Sequence, residues 1–249
     1  MRLAAGLFLS LTLLLPGIAD ASPGHISGQS RVSGPSTLGA EAFEPGGCAW
    51  DPVASTAFPR RIGLDYEPTV AVDPTDPAHA VTTWLADDGL VVGTGTTLDG
   101  GRTWTTAPLP RVTTCSGGIH RTSLDARVSV GADIDGSALA YAVAPSQNQP
   151  LPDPRGALTY INVVTEPFDG SGWREPVVIP VSAAIDAPVI AADPSRPGSA
   201  YVMWSQRGPD ATMLSSTRDG GRTWSGPAVV RFSNAGHLGL NALAVDQSG

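Results

Sequence analysis

The sequence contains no lysine, and this absence limits the partners that the protein can bind by charge. All of its 15 basic residues are arginines, aspartate and glutamate together number 23, and the formal net charge is −8. Contacts to phosphate need clustered positive charge. We therefore predict that the protein has no nucleic-acid partner.

Charged and aromatic residues are also scarce, at 15% and 6% of the chain. Glycine and proline, in contrast, number 29 and 23 among 249 residues. Such a density of turn-forming residues disfavours long helices and favours many short strands joined by tight turns.

Long apolar runs are absent except at the N-terminus. Arg2 is followed by the apolar stretch from Leu3 to Leu15, and Ala19-Asp20-Ala21 supplies the small residues typical of a signal-peptidase site. The stretch is shorter than the ~20 residues that span a bilayer. We predict a signal peptide over residues 1–21, a flexible leader rich in Gly, Ser and Pro over 22–47, and a secreted mature chain without a membrane span.

The chain has only two cysteines, Cys48 and Cys115. Export to an oxidising compartment makes them candidates for a disulfide, and the alternative is two separate free thiols. The four histidines do not have the paired spacing of metal ligands, and no Cys-x-x-Cys or His-Glu-x-x-His motif occurs. We predict no metal site and no cofactor.

A repeat organises the rest of the sequence. The segment Glu67 to Pro74 (EPTVAVDP) recurs as Ala187 to Pro194 (APVIAADP), with a weaker copy from Arg127 to Asp133 and a fourth start from Asn241 to Asp246. The aspartates of these segments stand at 73, 133, 193 and 246, so their spacings are 60, 60 and 53. The repeats are expected near 65–126, 127–186, 187–240 and 241–249, within a domain that spans 48–249.

The second half of each repeat carries a hairpin signal. Thr97 to Trp104 (TLDGGRTW) matches Thr217 to Trp224 (TRDGGRTW), and the middle repeat has a shortened version from Phe168 to Trp173. Asp-Gly and Gly-Gly between β-prone runs are typical of tight hairpin turns. In the first repeat, four strands are predicted near 69–73, 80–85, 90–97 and 104–108.

Four short strands per repeat, repeated radially, form the blade of a β-propeller. We therefore predict an all-β fold, a β-propeller of four-stranded antiparallel blades. About three blades and the start of a fourth are present.

The pattern Ser/Thr-x-Asp-x-Gly-x-Thr-Trp resembles the Asp-box, or BNR repeat, of the sialidase (neuraminidase) superfamily. The resemblance implies a six-bladed propeller, of which this sequence would be a truncated part, and a structural role for the box residues. These residues are Asp99, Gly101, Thr103 and Trp104 in one copy and Asp219, Gly221, Thr223 and Trp224 in the other.

The same resemblance implies where catalytic residues lie. In the family, an arginine just before the first blade binds the substrate carboxylate, and Arg61 stands at the matching place. An acid aspartate precedes the first Asp-box by about a dozen residues, where this sequence has Asp87 and Asp88. The alternatives are a surface arginine and a solvated Asp-Asp-Gly turn, and no tyrosine stands out as the family's nucleophile.

The expected function is that of a secreted glycoside hydrolase of the exo-α-sialidase type, which releases terminal sialic acid from glycans. Its partner would then be a sialoside glycan. The alternative is a non-catalytic Asp-box propeller that binds glycan or protein. The Asp-box turns do not discriminate between the two, because the family places them away from the catalytic centre.

Overall fold

The structure is a computed structural model that describes residues 32–44, 47–49, 62–147, 159–181, 183–208, 210–232 and 241–246. All of these lie in one of the two units into which the chain divides, residues 31–249. The predicted signal peptide and Arg61 lie outside the described residues. Within the described ranges there is no α-helix, and two short 3₁₀ helices occupy Ala40–Phe43 and Thr114–Ser116. None of the helices described has the length and apolar character to cross a membrane.

The first sheet has four antiparallel strands in chain order. They are Tyr66–Val72 (β1), Ala80–Ala86 (β2), Val91–Thr97 (β3) and Thr105–Pro108 (β4). The four strands predicted for this repeat are confirmed. Strand β1 begins at Tyr66, three residues earlier than predicted, because a register shift between Tyr66 and Thr69 allows Tyr66 to pair with Leu85 of β2.

The second and third sheets repeat this order. The strands of the second sheet are Thr122–Ser123 (β5), Arg127–Ala132 (β6), Ala138–Gln147 (β7), Thr159–Pro167 (β8) and Val177–Ile179 (β9). The short strand β5 and the strand β6 both pair with β7, one after the other along its length. The third sheet consists of Ile185–Ala192 (β10), Ala200–Gln206 (β11), Ala211–Thr217 (β12) and Ala228–Phe232 (β13).

The apolar core lies between the sheets, because each sheet has two faces to cover. Between the first and second sheets, one buried cluster comprises Leu85, Val92, Leu109, Val112, Ala126, Ala142, Ala144 and Val164. Between the second and third, another comprises Leu139, Tyr141, Val143, Ile161, Val163, Ile179, Ile190, Ala200, Val202, Trp204, Ala211 and Met213.

The first strands of neighbouring sheets lie side by side, β1 beside β6 and β6 beside β10. One contact between them is the hydrogen bond from the Ala192 amide to Ser129 Oγ, at 3.0 Å. Consecutive four-stranded sheets that stack face to face around their first strands are the blades of a propeller. The predicted fold class is therefore confirmed, and the three sheets are called blades 1, 2 and 3 below.

The predicted fourth repeat has no strand within the described residues 241–246. It begins against blade 3, where Asn241 Nδ2 donates to the Ala187 carbonyl at 2.7 Å.

The described part of the predicted leader differs from a flexible segment. Ala42 is buried in a small cluster with Ala49 and Leu90. Cys48 forms a disulfide with Cys115, with their Cα atoms 4.9 Å apart, and 67 residues separate them in sequence. These contacts hold the segment on blade 1, and composition alone does not reveal them.

Candidate active site

The predicted site residues divide between the two ends of the blades. One end, here called the rim, holds the starts of the first strands and the loops between second and third strands. The opposite end, here called the turn end, holds the other two connections of each blade. Asp87 and Asp88 lie at the rim, between β2 and β3, whereas Asp99 and Asp219 lie at the turn end.

The loop that holds Asp87 and Asp88 has an unusual backbone. Both residues have positive φ angles, 51° and 60°, followed by Gly89 at 78°. Non-glycine residues rarely adopt this region, so surrounding contacts must hold it. Asp87 is only 2% exposed, and its Oδ1 accepts a hydrogen bond from the Gly63 amide at 2.7 Å. The Asp88 amide donates to the Leu64 carbonyl at 3.2 Å.

These two contacts tie the Asp87–Asp88 loop to the segment that follows Arg61. Arg61 itself is not among the described residues, but the chain two positions further on touches Asp87. Asp88 is partly buried, in contrast to the buried Asp87. The two adjacent carboxylates therefore have different surroundings, and Asp88 is the more accessible of them.

A second pair of carboxylates lies at the rim, between blades 1 and 2. The Asp125 amide donates to Glu67 Oε2 at 3.0 Å. Desolvation between the blades, and then the charge of Asp125, raises the pKa of Glu67. Burial also raises the pKa of Asp125, opposed by Arg127 and reinforced by Asp186.

Arginines accompany these carboxylates around the rim. Arg127 Nη2 lies 3.8 Å from Asp125 Oδ1 in blade 2, and Arg207 Nη2 lies 3.4 Å from Asp186 Oδ2 in blade 3. Guanidinium groups bind carboxylate ligands through paired hydrogen bonds. The rim therefore combines carboxyl groups of raised pKa with arginines that lie beside its aspartates.

Sequence reasoning missed Glu67, Asp125 and Asp186. Glu67 and Ala187 stand at the same place in the repeat, each before a proline and each at a register shift at the start of its strand. Both have positive φ, 53° and 47°. The difference between the two copies could have drawn attention to Glu67, because this position of the repeat is a glutamate in the first copy and an alanine in the third.

The two Asp-Gly-Gly turns, Thr97–Trp104 and Thr217–Trp224, make most of their hydrogen bonds internally. Asp99 Oδ1 accepts from the Thr103 amide at 2.9 Å and from Thr97 Oγ1 at 2.8 Å, and Trp104 Nε1 donates to the Gly101 carbonyl at 3.1 Å. The bonds from Thr103 lower the pKa of Asp99 to about 2.

The second turn repeats this pattern, with Asp219 bound by the Thr223 amide at 2.9 Å and by Thr217 Oγ1 at 2.7 Å. It differs at the tryptophan, because Trp224 Nε1 is buried without a hydrogen-bond partner in the described part of the chain. Gly101 and Gly221 have φ of 83° and 76° and so permit the turns. Neither turn reaches the rim.

Among the residues that the structure describes, no group of three or more His, Cys, Asp or Glu side chains is arranged to hold a metal ion.

No protein-family model and no curated protein sequence matches this chain. Solved structures with a similar fold include a Trypanosoma rangeli sialidase in complex with the inhibitor DANA, at 17% identity and a TM-score of 0.45, over 70% of this chain and 32% of that one. A Penicillium chrysogenum α-L-arabinanase complexed with arabinobiose aligns at 14% identity and a TM-score of 0.46, over 71% of this chain and 52% of that one. The chain thus spans about half or less of these proteins, and the likeness concerns the fold alone.

Proposed function

We propose that the protein is a glycoside hydrolase of the sialidase type, which releases terminal sialic acid from glycans at the rim. One observation carries the proposal: the Gly63 amide donates to Asp87 at 2.7 Å. This contact brings the loop with the candidate acid to the chain segment just after Arg61, the candidate ligand of the substrate carboxylate. Gly63 and Asp87 are 24 residues apart in sequence, and the hydrogen bond joins them.

The surroundings of the two aspartates favour different roles for them. Asp87 is buried and accepts a backbone hydrogen bond, so we assign it the positioning of the loop. Asp88 is more accessible, and we assign it the general acid that protonates the leaving oxygen. Arg61 would bind the carboxylate of the sugar, for which a planar guanidinium is well suited.

The rim carboxyls of Glu67 and Asp125 support hydrolysis more than binding alone. Burial raises the pKa of both groups, as it does for many catalytic acids. The proposal also places the reaction outside the cytoplasm, because the first 21 residues have signal-peptide features and Cys48 is bonded to Cys115.

A fluorogenic sialoside assay on the secreted protein tests the proposal. Turnover is expected, and Asp88→Asn is expected to lower kcat about 100-fold or more, because the amide cannot donate the acid proton. Arg61→Ala should raise KM more than it lowers kcat. The matched control is Arg102→Ala, an arginine in the first Asp-Gly-Gly turn at the opposite end, which should leave turnover unchanged.

Two results would contradict this reading. Turnover that persists in Asp88→Asn would show that Asp88 is not the general acid. Absence of turnover, combined with saturable binding of sialyllactose, would indicate the alternative, a non-catalytic glycan-binding propeller.

A further inference from the structure

A groove of about 440 Å³ opens between blades 1 and 2, away from the rim. Blade 1 lines it with the third and fourth strands, and blade 2 lines it with the end of β8 and the connection to β9. The side chains used in the argument below are Thr96, Thr105, Glu166, Phe168, Ser171 and Trp173.

The floor of the groove is fixed by two hydrogen bonds that cross from one blade to the other. Thr96 Oγ1 donates to Glu166 Oε2 at 2.7 Å, and Trp173 Nε1 donates to Thr94 Oγ1 at 3.0 Å. Glu166 is 7% exposed, yet it lines the groove. A buried carboxyl in this place is therefore preorganised, with one oxygen bound to protein and the other able to accept further hydrogen bonds.

Glu166 departs from the repeat. The pairing of first with second strands aligns Ala140 of blade 2 with Thr82 of blade 1 and Val202 of blade 3. Ala140 pairs with Glu166, whereas Thr82 pairs with Gly95 and Val202 with Ser215, so the other two blades have a glycine and a serine at this place. Blade 2 instead carries a carboxyl that reaches across to blade 1.

The equivalent place between blades 2 and 3 is filled. There the second Asp-Gly-Gly turn packs on blade 2 so closely that a Cβ added to Gly221 would lie 2.8 Å from Thr165 Cγ2 and 3.5 Å from Tyr141 Cε1. The shortened turn of blade 2 leaves this space open against blade 1. The groove thus combines two local departures from the repeat, the shorter turn and Glu166.

We propose that this groove binds a neutral saccharide unit. The hydroxyls of Thr105 and Ser171 and the carboxyl of Glu166 match the mixed donor and acceptor pattern of sugar hydroxyls. Trp173 offers ring surface to the apolar face of a sugar, and Phe168, which stacks on His79 with ring centroids 5.2 Å apart, adds apolar lining. The lining residues include no arginine, which disfavours an acidic sugar.

Burial raises the pKa of Glu166, and the hydrogen bond from Thr96 opposes this shift. The site lies apart from the rim and does not depend on hydrolysis there. Its function would be to hold a second part of a glycan.

The test is a titration of the ¹⁵N-labelled full chain with lactose, maltose and arabinobiose, observed by NMR. The indole N–H of Trp173, assigned with Trp173→Phe, is expected to shift saturably with at least one disaccharide, while that of Trp84 stays in place. Glu166→Thr removes the carboxyl group and is expected to weaken binding roughly tenfold by removing a hydrogen-bond acceptor for the sugar hydroxyls.

Two controls keep the outcome interpretable. Glu166→Gln keeps an oxygen that can accept from Thr96, so its melting temperature should match that of the unaltered protein while its affinity falls. Asp88→Asn, at the rim, should bind the disaccharides normally, which separates this site from the proposed active site. The proposal is overturned if none of the three disaccharides shifts Trp173, or if Glu166→Thr binds them as well as the unaltered protein does.

Discussion

The contact between Arg222 and Asp133 gives the most quantitative prediction, because it joins blades 2 and 3 through a nearly buried carboxylate. Arg222 Nη1 and Nη2 lie 2.8 Å and 3.0 Å from the two oxygens of Asp133, and Arg174 Nη2 lies 3.6 Å away. The Asp133 side chain is 6% exposed and that of Arg222 is 46% exposed.

Arg222→Ala should therefore destabilise the protein by about 1–2 kcal/mol. Removing one partner of a fully buried ion pair costs about 3–5 kcal/mol, but solvent reaches Arg222 and the charge of Arg174 remains beside Asp133. For a chain of this size, the melting temperature should fall by roughly 2–8 °C.

The measurement is thermal and urea unfolding followed by circular dichroism, with Arg102→Ala as the matched control. Arg102 has the same place in the first Asp-Gly-Gly turn and donates to the Asp99 carbonyl, just as Arg222 donates to the Asp219 carbonyl. It forms no ion pair with a described residue, so its removal should change stability by less than about 0.5 kcal/mol. Equal losses in the two variants would refute the reasoning.

The same contact predicts a pH dependence. The hydrogen bond from Arg222, together with its charge, lowers the pKa of Asp133 in the folded state. A carboxyl with a lowered folded pKa contributes stability above its unfolded pKa, near 4, and loses that contribution as the pH falls through the folded pKa. The difference in stability between Arg222→Ala and the unaltered protein should therefore shrink in acid.

Three further predictions concern other parts of the fold. Cys115→Ser should destabilise the protein by up to about 4 kcal/mol in the chain-entropy model, since the disulfide with Cys48 closes a loop of 67 residues, and a melt with and without reductant measures this. Gly221→Ala should be clearly more destabilising than Gly100→Ala, because both have positive φ but only Gly221 has neighbours within 4 Å of the added Cβ; equal unfolding midpoints would contradict the close packing described there. Because the pKa of Glu67 is raised in the folded state, ionisation of this group destabilises the protein as the pH rises from the unfolded pKa through the folded pKa. Glu67→Gln removes this loss, so in urea unfolding the variant should become more stable than the unaltered protein as the pH rises above about 4.

The sequence was sufficient to predict the blades. The repeated Asp-Pro and Asp-Gly-Gly segments mark turns at a constant spacing, and the apolar runs between them have the length of strands, so the four strands of blade 1 could be located before the structure was known. The Asp87–Asp88 loop could be placed between β2 and β3 for the same reason.

Contacts between blades could not be predicted in this way. The bond between Asp125 and Glu67 joins residues that are 58 positions apart in sequence and lie in different blades. The contacts between side chains of two blades depend on strand register and on the register shifts at the start of β1 and β10. The periodicity of the sequence does not reveal either of these. Glu166 illustrates this, since its equivalence to Gly95 appears only from the strand pairing.

The bulge at the start of the first strands has a consequence for how such a protein diversifies. Glu67 and Ala187 occupy the same left-handed backbone position, each before a proline, and one is an acid while the other is a methyl group. The backbone shape therefore does not dictate the side chain. Duplication of a blade supplies a further copy of this position at the rim, where a single substitution adds or removes a functional group while the backbone stays the same. Ala187→Glu would place a new carboxyl on blade 3 in this manner.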